Sequence, residues 1–239
     1  MNESVPLIVP EVNGSLINNT KNCIISNPNC VAIPSSMILK ALSDLSNIKR
    51  VVISTYQSVS GAGKNGIRSL YEETRQSLFG MTSSNEDSRI KIFPKVIAGN
   101  VIPVIGEILK SGESDEENKI ASEIKKILSK DMFISVTSVR VPVYIGHSIS
   151  MHCEFFSDIE LSDVKAAISK FPGITLLRDD TIVTPVDAQG EDSVFVCRVR
   201  RDDGCKNCIS LWASCDNLRK GAALNGVQIA ESIIKSSMD

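Results

Sequence analysis

The sequence is poor in the features that mark nucleic-acid-binding, membrane and secreted proteins. Its 239 residues include three Tyr and one Trp, which offer few platforms for stacking bases, and the net charge of −2 gives no basic surface for a polyanion. No run of about 18 apolar residues is present, so no transmembrane helix is expected. Met1 to Val12 has no basic stretch followed by an apolar one, unlike a secretory signal. These absences favour a cytosolic globular protein that binds neither nucleic acid nor membrane.

The seven cysteines are an odd number, which fits a reducing compartment better than a disulfide framework. Cys205 and Cys208 form a C-x₂-C pair flanked by Cys197 and Cys215, and four thiolates could bind zinc. A second C-x₂-C is absent, however, and residues 202–204 (D-D-G) predict a hairpin turn that would place the pair at a loop tip. We therefore predict no metal and keep zinc as the alternative.

Apolar periodicity and β-branched runs predict an α+β domain. Strands are predicted over residues 23–25, 50–55, 133–139, 148–155, 194–199 and 209–214, and helices over 31–42, 67–78, 114–128, 161–170 and 221–236. Residues 5–13 are predicted to be extended, 82–88 to form a loop, and 97–109 to form a short helix or two pieces. We expect helices on one face of the sheet and a partner subunit on the other.

The strongest chemical signal is the string N-P-N-C at residues 27–30, between a predicted strand and a predicted helix. Free N–H groups and the positive end of the helix dipole would stabilise a thiolate at Cys30. The amide of Asn29 could donate a hydrogen bond beside the sulfur. Alternatively, Cys30 is a small buried apolar residue, as most cytosolic cysteines are.

Two further segments contain side chains suited to catalysis. His147 follows a glycine at the head of a predicted strand, and a base of near-neutral pKa beside a thiol is the minimal activated pair. Arg140 could bind a substrate carboxylate with its planar fork, although a strand His or Arg can equally be structural. Residues 54–63 form a polar, Gly-rich exit from a strand, which is either a site loop or an ordinary tight turn. They do not match a dinucleotide fingerprint.

Five strings occur in a fixed order: P-E-V-N (10–13), N-P-N-C (27–30), S-T-Y-Q-S-V-S-G-A-G (54–63), R-V-P-V-Y-I-G-H-S (140–148) and D-N-L-R-K-G-A-A-L-N (216–225). Together they resemble the signature segments of the bacterial aspartate-semialdehyde dehydrogenases. The related acylglutamyl-phosphate reductases carry Gly where Asn29 stands, so Asn29 favours the aspartate family.

The resemblance implies a reaction and a fold. The reaction is the NADPH-dependent reductive dephosphorylation of L-4-aspartyl phosphate to L-aspartate 4-semialdehyde, in lysine, diaminopimelate, threonine and methionine biosynthesis. The fold would be a mixed, largely antiparallel sheet with helices on one face, like the C-terminal domain of glyceraldehyde-3-phosphate dehydrogenase. A cytoplasmic homodimer is expected.

The family's functional residues carry over to matching positions. The catalytic residues would be Cys30 as nucleophile, His147 as general acid and base, and Gln57 as the group that orients the intermediate. The residues that bind substrate would be Asn29, Arg140, Glu116 and Lys119. The string E-E-N-K around Glu116 and Lys119 lacks the family's usual aromatic or Met before the Lys. The residues against NADP would be Ser60, Gly61, Asn217 and Gln228.

The resemblance also implies a division of the chain. Residues 1–29 would be the remnant of a nucleotide-binding domain and its link, 30–217 the catalytic and dimerisation domain, and 218–239 a C-terminal helix that normally packs on the nucleotide domain. The sequence contains no Gly-rich dinucleotide-binding turn. We therefore expect this chain alone to bind NADP poorly and to be inactive. The alternative is a non-catalytic dimerising paralogue or fragment.

Overall fold

The computed structural model describes residues 5–19, 24–79 and 92–238. Its helices are α1 (Pro10–Asn13), α2 (Ala32–Ser43), α3 (Gly63–Leu78), α4 (Asp115–Leu128), α5 (Leu161–Lys170), α6 (Pro185–Ala188) and α7 (Leu224–Met238). Its strands are β1 (Ile48–Gln57), β2 (Phe133–Arg140), β3 (His147–Phe155), β4 (Ile174–Leu176), β5 (Val194–Asp202) and β6 (Cys205–Cys215). Short 3₁₀ turns cover Gly14–Asn19 and Val59–Ala62, and a π-helical turn covers Arg219–Ala223. The loop predicted over 82–88 lies outside the described residues.

One six-stranded sheet with the order β2-β1-β3-β6-β5-β4 organises these elements. The central pairs β1–β3, β3–β6 and β6–β5 are antiparallel, and the outer pairs β1–β2 and β4–β5 are parallel. The predicted mixed, largely antiparallel sheet is therefore confirmed. The sequence prediction missed β4, because three residues are too few to show an alternating pattern.

The core lies between one face of the sheet and the helices α2, α4 and α5. Alternate strand residues such as Val51 and Ile53 of β1 and Ile149 of β3 are buried on this face. They pack with apolar residues such as Ile38 of α2 and Ile124 of α4 in one continuous cluster. Helices on one face of the sheet were predicted, and the structure confirms them.

The opposite face of the sheet is lined by polar and aromatic side chains. The rings of Tyr56 and Trp212 contact each other there at a tilt of 40°, with centroids 5.2 Å apart, and the hydroxyls of Ser148 and Ser214 lie 2.6 Å apart. The Trp212 indole N–H donates to the carbonyl of Val183 at 3.0 Å, so the chain around α6 covers part of this face. The rest of the face is where a partner subunit was expected.

The beginning and end of the described chain bind each other. The Lys220 ammonium is 1% exposed and lies 2.7 and 2.8 Å from the two carboxylate oxygens of Glu11. It also donates to the side-chain oxygens of Asn225 at 3.2 Å and Gln228 at 2.7 Å. Burial lowers the pKa of Lys220, and the Glu11 carboxylate opposes that shift. The pair therefore ties α1 to the π-helical turn.

Three predictions along the chain need correction. Residues 5–13 are not extended throughout, because α1 begins at Pro10, whose fixed φ and missing N–H suit the first helical position. The strand predicted over 23–25 is reduced, within the described residues, to a bridge between Leu7 and Ser26. Residues 97–109 form no helix; Ile102 instead pairs with the backbone of Arg140.

The cysteine pair of the C-x₂-C string lies at the β5–β6 hairpin, where a turn was predicted. The sulfurs of Cys205 and Cys208 are bonded to each other, whereas Cys30, Cys153 and Cys197 are free thiols. The odd number of cysteines favoured reduced thiols over a disulfide framework, so this bonded pair departs from that expectation. Among the described residues no group of His, Cys, Asp and Glu side chains is arranged to hold a metal. The same part of the chain has no helix long and apolar enough to cross a bilayer.

Candidate active site

Three predicted site residues lie at one end of the sheet, on its helix-covered face. Gln57 ends β1 and Arg140 ends β2, and the two are partners in the parallel register. His147 begins β3, whose antiparallel pairing with β1 places it next to Gln57. Because side chains alternate between the faces of a strand, all three point to the same side as Ile53 and Ile149. The register of the sheet therefore brings together residues that are up to 90 positions apart.

Cys30 lies in the turn that leads into α2, two residues before the helix begins. The carbonyl of Asn29 accepts a hydrogen bond from the N–H of Ile33 at 3.0 Å, which makes Asn29 the N-cap in hydrogen-bonding terms. Its side-chain oxygen accepts from the N–H groups of Val31 at 2.8 Å and Ala32 at 3.3 Å. Cys30 therefore stands at a capped helix N-terminus, as predicted.

The predicted ionisation of Cys30 is wrong for the substrate-free chain. Burial, together with the negative charge of Glu116, raises the pKa of the Cys30 thiol to about 12. Arg140, the backbone N–H of Cys30 and Lys119 lower the pKa by smaller amounts. Desolvation thus outweighs the helix terminus, and the thiol holds its proton at neutral pH.

This protonation state predicts the pH dependence of Cys30 alkylation. Only the thiolate reacts, so we expect the rate with iodoacetamide to rise about tenfold per pH unit through pH 9, without a plateau. Mass spectrometry of the peptide containing Cys30 would measure it. Glu116→Gln should speed alkylation at any one pH, because it removes the nearby negative charge. A plateau below pH 8 in the unchanged chain would contradict the raised pKa.

Asn29, Gln57 and Glu116 form a hydrogen-bonded group beside the thiol. The Asn29 amide donates to Oε1 of Glu116 at 2.9 Å, and the Gln57 amide approaches the same oxygen at 3.5 Å. One N–H of Asn29 is therefore committed to Glu116, which leaves only its second N–H for an oxyanion. Lys119 is exposed one helical turn after Glu116, and its positive charge lowers the pKa of Cys30.

His147 is completely buried, and its ring is held by the loop after β1. Its Nδ1 lies 3.1 Å from the backbone nitrogen of Ser58, and because a backbone N–H can only donate, Nδ1 is the acceptor. Burial, together with the positive charge of Arg140, lowers the pKa of His147 to about 3. The neutral ring therefore carries its proton on Nε2, which is buried and has no partner among the described residues. This tautomer can donate a hydrogen bond from Nε2 but cannot accept a proton there.

Arg140 is a buried cation that lacks an anionic partner in the described part of the chain. The residue is 6% exposed, its Nη1 donates to the carbonyl of Ser58 at 2.7 Å, and its guanidinium lies 5.8 Å from the Phe93 ring centroid. Burial lowers the pKa of Arg140, whereas Cys30 and Glu116 raise it. No carboxylate of the described residues forms a salt bridge with it, so its fork is available to an anion.

The residues predicted to contact NADP have most of their polar groups engaged within the chain. The side chains of Ser60 and Asn217 are buried and hydrogen-bonded to each other, and Asn217 also accepts from the N–H of Gly146 at 2.8 Å. A Cβ at Gly61 would lie 2.7 Å from the Arg140 guanidinium, so this glycine makes room for that side chain. Gln228 is bound to Lys220 and to Glu11. Their contact with NADP stays a prediction.

Two site residues were missed in the sequence. Ser58 contacts both His147 and Arg140, and its position inside the polar 54–63 segment was the available signal. Glu123 is 5% exposed and accepts from the Asn29 N–H at 2.6 Å. It lies two helical turns after Glu116 on the same face of α4, a spacing that could have revealed it.

Known proteins with similar sequences identify the family of this chain. The family model described as semialdehyde dehydrogenase, dimerisation domain, matches residues 39–220. The aspartate-semialdehyde dehydrogenases of Rickettsia bellii and Rickettsia conorii are 49% and 50% identical over 242 residues, covering 99% of this chain and 70% of each relative. The chain belongs to the aspartate-semialdehyde dehydrogenase family.

Solved structures agree with this assignment. The crystal structure of aspartate semialdehyde dehydrogenase II from Vibrio cholerae superposes with a TM-score of 0.91 at 40% sequence identity. The match covers 97% of this chain and 68% of that one. A second structure of the Vibrio enzyme, complexed with ASA, gives the same values. A Candida albicans aspartate semialdehyde dehydrogenase with NADP, 23% identical with a TM-score of 0.72, shares the fold.

Proposed function

We propose that this chain supplies the catalytic site of an aspartate-semialdehyde dehydrogenase acting on L-4-aspartyl phosphate. The observation that carries the proposal is the charge pattern around Cys30. The guanidinium of Arg140 and the carboxylate of Glu116 both act electrostatically on the thiol, with opposite signs. An amino acid presents the complementary pair, an α-carboxylate and an ammonium group. Lys119 adds a positive charge suited to the phosphate.

The acyl-transfer half of the reaction needs only side chains of this chain. The Cys30 sulfur forms a bond to the acyl carbon, the bond from that carbon to the phosphate oxygen breaks, and the thiol proton ends on the released phosphate. The product is a thioester on Cys30. Binding of the substrate ammonium to Glu116 offsets the negative charge that keeps the thiol protonated, so the substrate itself favours the thiolate.

His147 and Gln57 would stabilise the tetrahedral intermediate. The Nε2–H of His147 has no partner in the described residues and is held in a dry environment, where a donor to a developing oxyanion is worth most. The backbone N–H of Cys30 supports it at the helix N-terminus. Gln57, 1% exposed and beside Glu116, would orient the acyl group. In the reduction, the thiohemiacetal oxyanion would accept a hydrogen bond from the same Nε2–H. It would collapse to the aldehyde as the bond between its carbon and the Cys30 sulfur breaks, and the released thiolate would take a proton from solvent.

The complete reaction that we propose is NADPH-dependent, with NADPH supplying the hydride that reduces the thioester to aspartate semialdehyde. We assign residues 1–29 to the link with a nucleotide-binding domain, 30–217 to catalysis and dimerisation, and 218–239 to a helix against that domain. Exposed Val227 and Ile234 of α7 support the last assignment.

Calorimetric titration of these 239 residues with NADP⁺ tests this assignment of residue ranges to domains. The polar groups expected to contact NADP are engaged within the chain, so we expect no saturable binding below about millimolar NADP⁺, which corresponds to only about 4 kcal/mol. Micromolar binding by the chain alone would contradict this assignment.

We further propose a cytoplasmic role in lysine, diaminopimelate, threonine and methionine biosynthesis. A non-catalytic dimerising paralogue is the alternative; it predicts no reaction of Cys30 with aspartyl phosphate.

We propose that the face of the sheet bearing Tyr56 and Trp212 forms a homodimer interface. Trp212→Asp would place a charge in the centre of that face, and sedimentation should show a dimer shifting to monomer. Leu45→Asp is the control, because Leu45 is 40% exposed in the turn after α2, on the helix-covered side of the sheet. A monomeric unchanged chain, or dissociation by both variants alike, would count against this interface.

A further inference from the structure

Glu123 binds the residue that immediately precedes the proposed nucleophile. Its Oε2 accepts the backbone N–H of Asn29 at 2.6 Å, and the carboxyl is almost completely buried, with 5% of the residue exposed. The partner N–H belongs to the N-cap of α2, whose geometry places the Cys30 sulfur. Glu123 therefore connects α4 directly to the turn that presents the thiol.

Asn29 is held by two carboxylates from one helix. Glu123 binds its backbone N–H, and Glu116, two turns earlier on α4, binds its side-chain amide at 2.9 Å. The Asn29 side-chain oxygen meanwhile caps α2. Because its side chain and its N–H are both restrained, Asn29 has little freedom to rotate. Cys30 is the next residue, so its backbone position is restrained as well.

The hydrogen bond to the Asn29 N–H needs an oxygen at the reach of the Glu123 side chain and does not need a charge. The Asn29 N–H needs an acceptor, but a neutral oxygen would satisfy it without the cost of burying a charge. Burial raises the pKa of Glu123, and the Asn29 N–H and the Lys119 charge oppose that shift. Glu116 is one of the two largest causes of the raised pKa of the Cys30 thiol, whereas Glu123 is not among its main causes. The direct connection of Glu123 to the sulfur is its hydrogen bond to the Asn29 N–H.

We propose that Glu123 is a positioning residue, whose hydrogen bond to the Asn29 N–H fixes the Cys30 sulfur for attack on the acyl carbon. The inference rests on the proposed role of Cys30 as nucleophile. A misplacement of about 1 Å can cost about 100-fold in rate, so one short hydrogen bond at this turn is enough to matter.

Two conservative variants separate the hydrogen bond from the charge. Glu123→Gln keeps an oxygen at the same reach and removes the charge, whereas Glu123→Asp keeps the charge but is one methylene too short. Acylation of Cys30 by aspartyl phosphate, followed by phosphate release, should slow by about 10-fold to 100-fold in Glu123→Asp and by less than about threefold in Glu123→Gln. Alkylation by iodoacetamide should accelerate in Glu123→Asp, because a loosened turn exposes the thiol.

Glu117→Asp is the matched control. Glu117 lies on the same helix and accepts a backbone N–H of the same kind, that of Ser138 at 2.7 Å, but it does not bind Asn29. It should lose stability without changing either rate. Loss of rate in Glu123→Gln equal to that in Glu123→Asp, or unchanged rates in both variants, would overturn the proposal. If the unchanged chain is not acylated at all, the proposed substrate is wrong, and the alkylation rates still decide whether Glu123 positions Cys30.

Discussion

Replacing Cys30 with Ser should lower the rate of covalent capture of aspartyl phosphate by about 10³-fold or more. A hydroxyl is a far weaker nucleophile than a thiolate, and the neutral His147 carries its proton on Nε2, so no imidazole nitrogen faces the site as a base for it. The measurement needs no NADPH. Phosphate release should reach one equivalent per active chain, with an acyl adduct on Cys30 that hydroxylamine removes.

The control for this variant is Cys197→Ala. Cys197 is a free, buried thiol, and its pairing with Trp212 places it on the sheet face away from the site. Capture should continue in Cys197→Ala at nearly the rate of the unchanged chain. Persistence of the adduct in Cys30→Ser, or its loss in Cys197→Ala, would remove the case for Cys30 as the nucleophile.

Lys220→Met should lower the free energy of unfolding by about 3–5 kcal/mol, because it leaves the Glu11 carboxylate without its cation in a largely buried place. Asn225 and Gln228, which accept from the same ammonium, would lose their partner as well. Urea unfolding would measure the change as a lower midpoint at constant slope.

The double variant Glu11→Gln with Lys220→Met separates the cost of an unmatched charge from that of lost packing. It should recover part of the stability, because both charges are then absent and only the hydrogen bonds are lost. Equal stability of the single and double variants would mean that the buried pair contributes little through its charges.

Local patterns predicted the elements that a short stretch of sequence determines. The helix over 161–170 has the predicted bounds, and Ser114 begins α4 with a capping box that joins its side chain to Glu117. The strand β4 escaped prediction because its three residues pair only through contacts with β5. The positions of Gln57, Arg140 and His147 followed from motifs, but their convergence depends on strand register, which the motifs do not contain.

The protonation states were predicted less well than the positions. The sequence predicted that Cys30 lies at a helix N-terminus. The pKa of its thiol depends instead on burial and on Glu116, 86 residues later in the chain. His147 was expected to have a near-neutral pKa, whereas complete burial lowers it to about 3. Desolvation depends on the whole fold, and no local pattern of residue types reports it.

The contacts that join α1, the Cys30 turn and α7 can form only after widely separated parts of the chain have been synthesised. Lys220 and Glu11 are 209 residues apart, and the Asn27 amide donates to the carbonyl of Ala222, 195 residues away. A Cβ at Gly221 would lie 3.2 Å from Cys30, so the π-helical turn forms one wall beside the sulfur. On the ribosome that wall emerges 191 residues after Cys30, and the nascent chain carries an unshielded thiol until then. Cellular thiols and oxidants can reach Cys30 during that interval, before the completed fold restricts access to it.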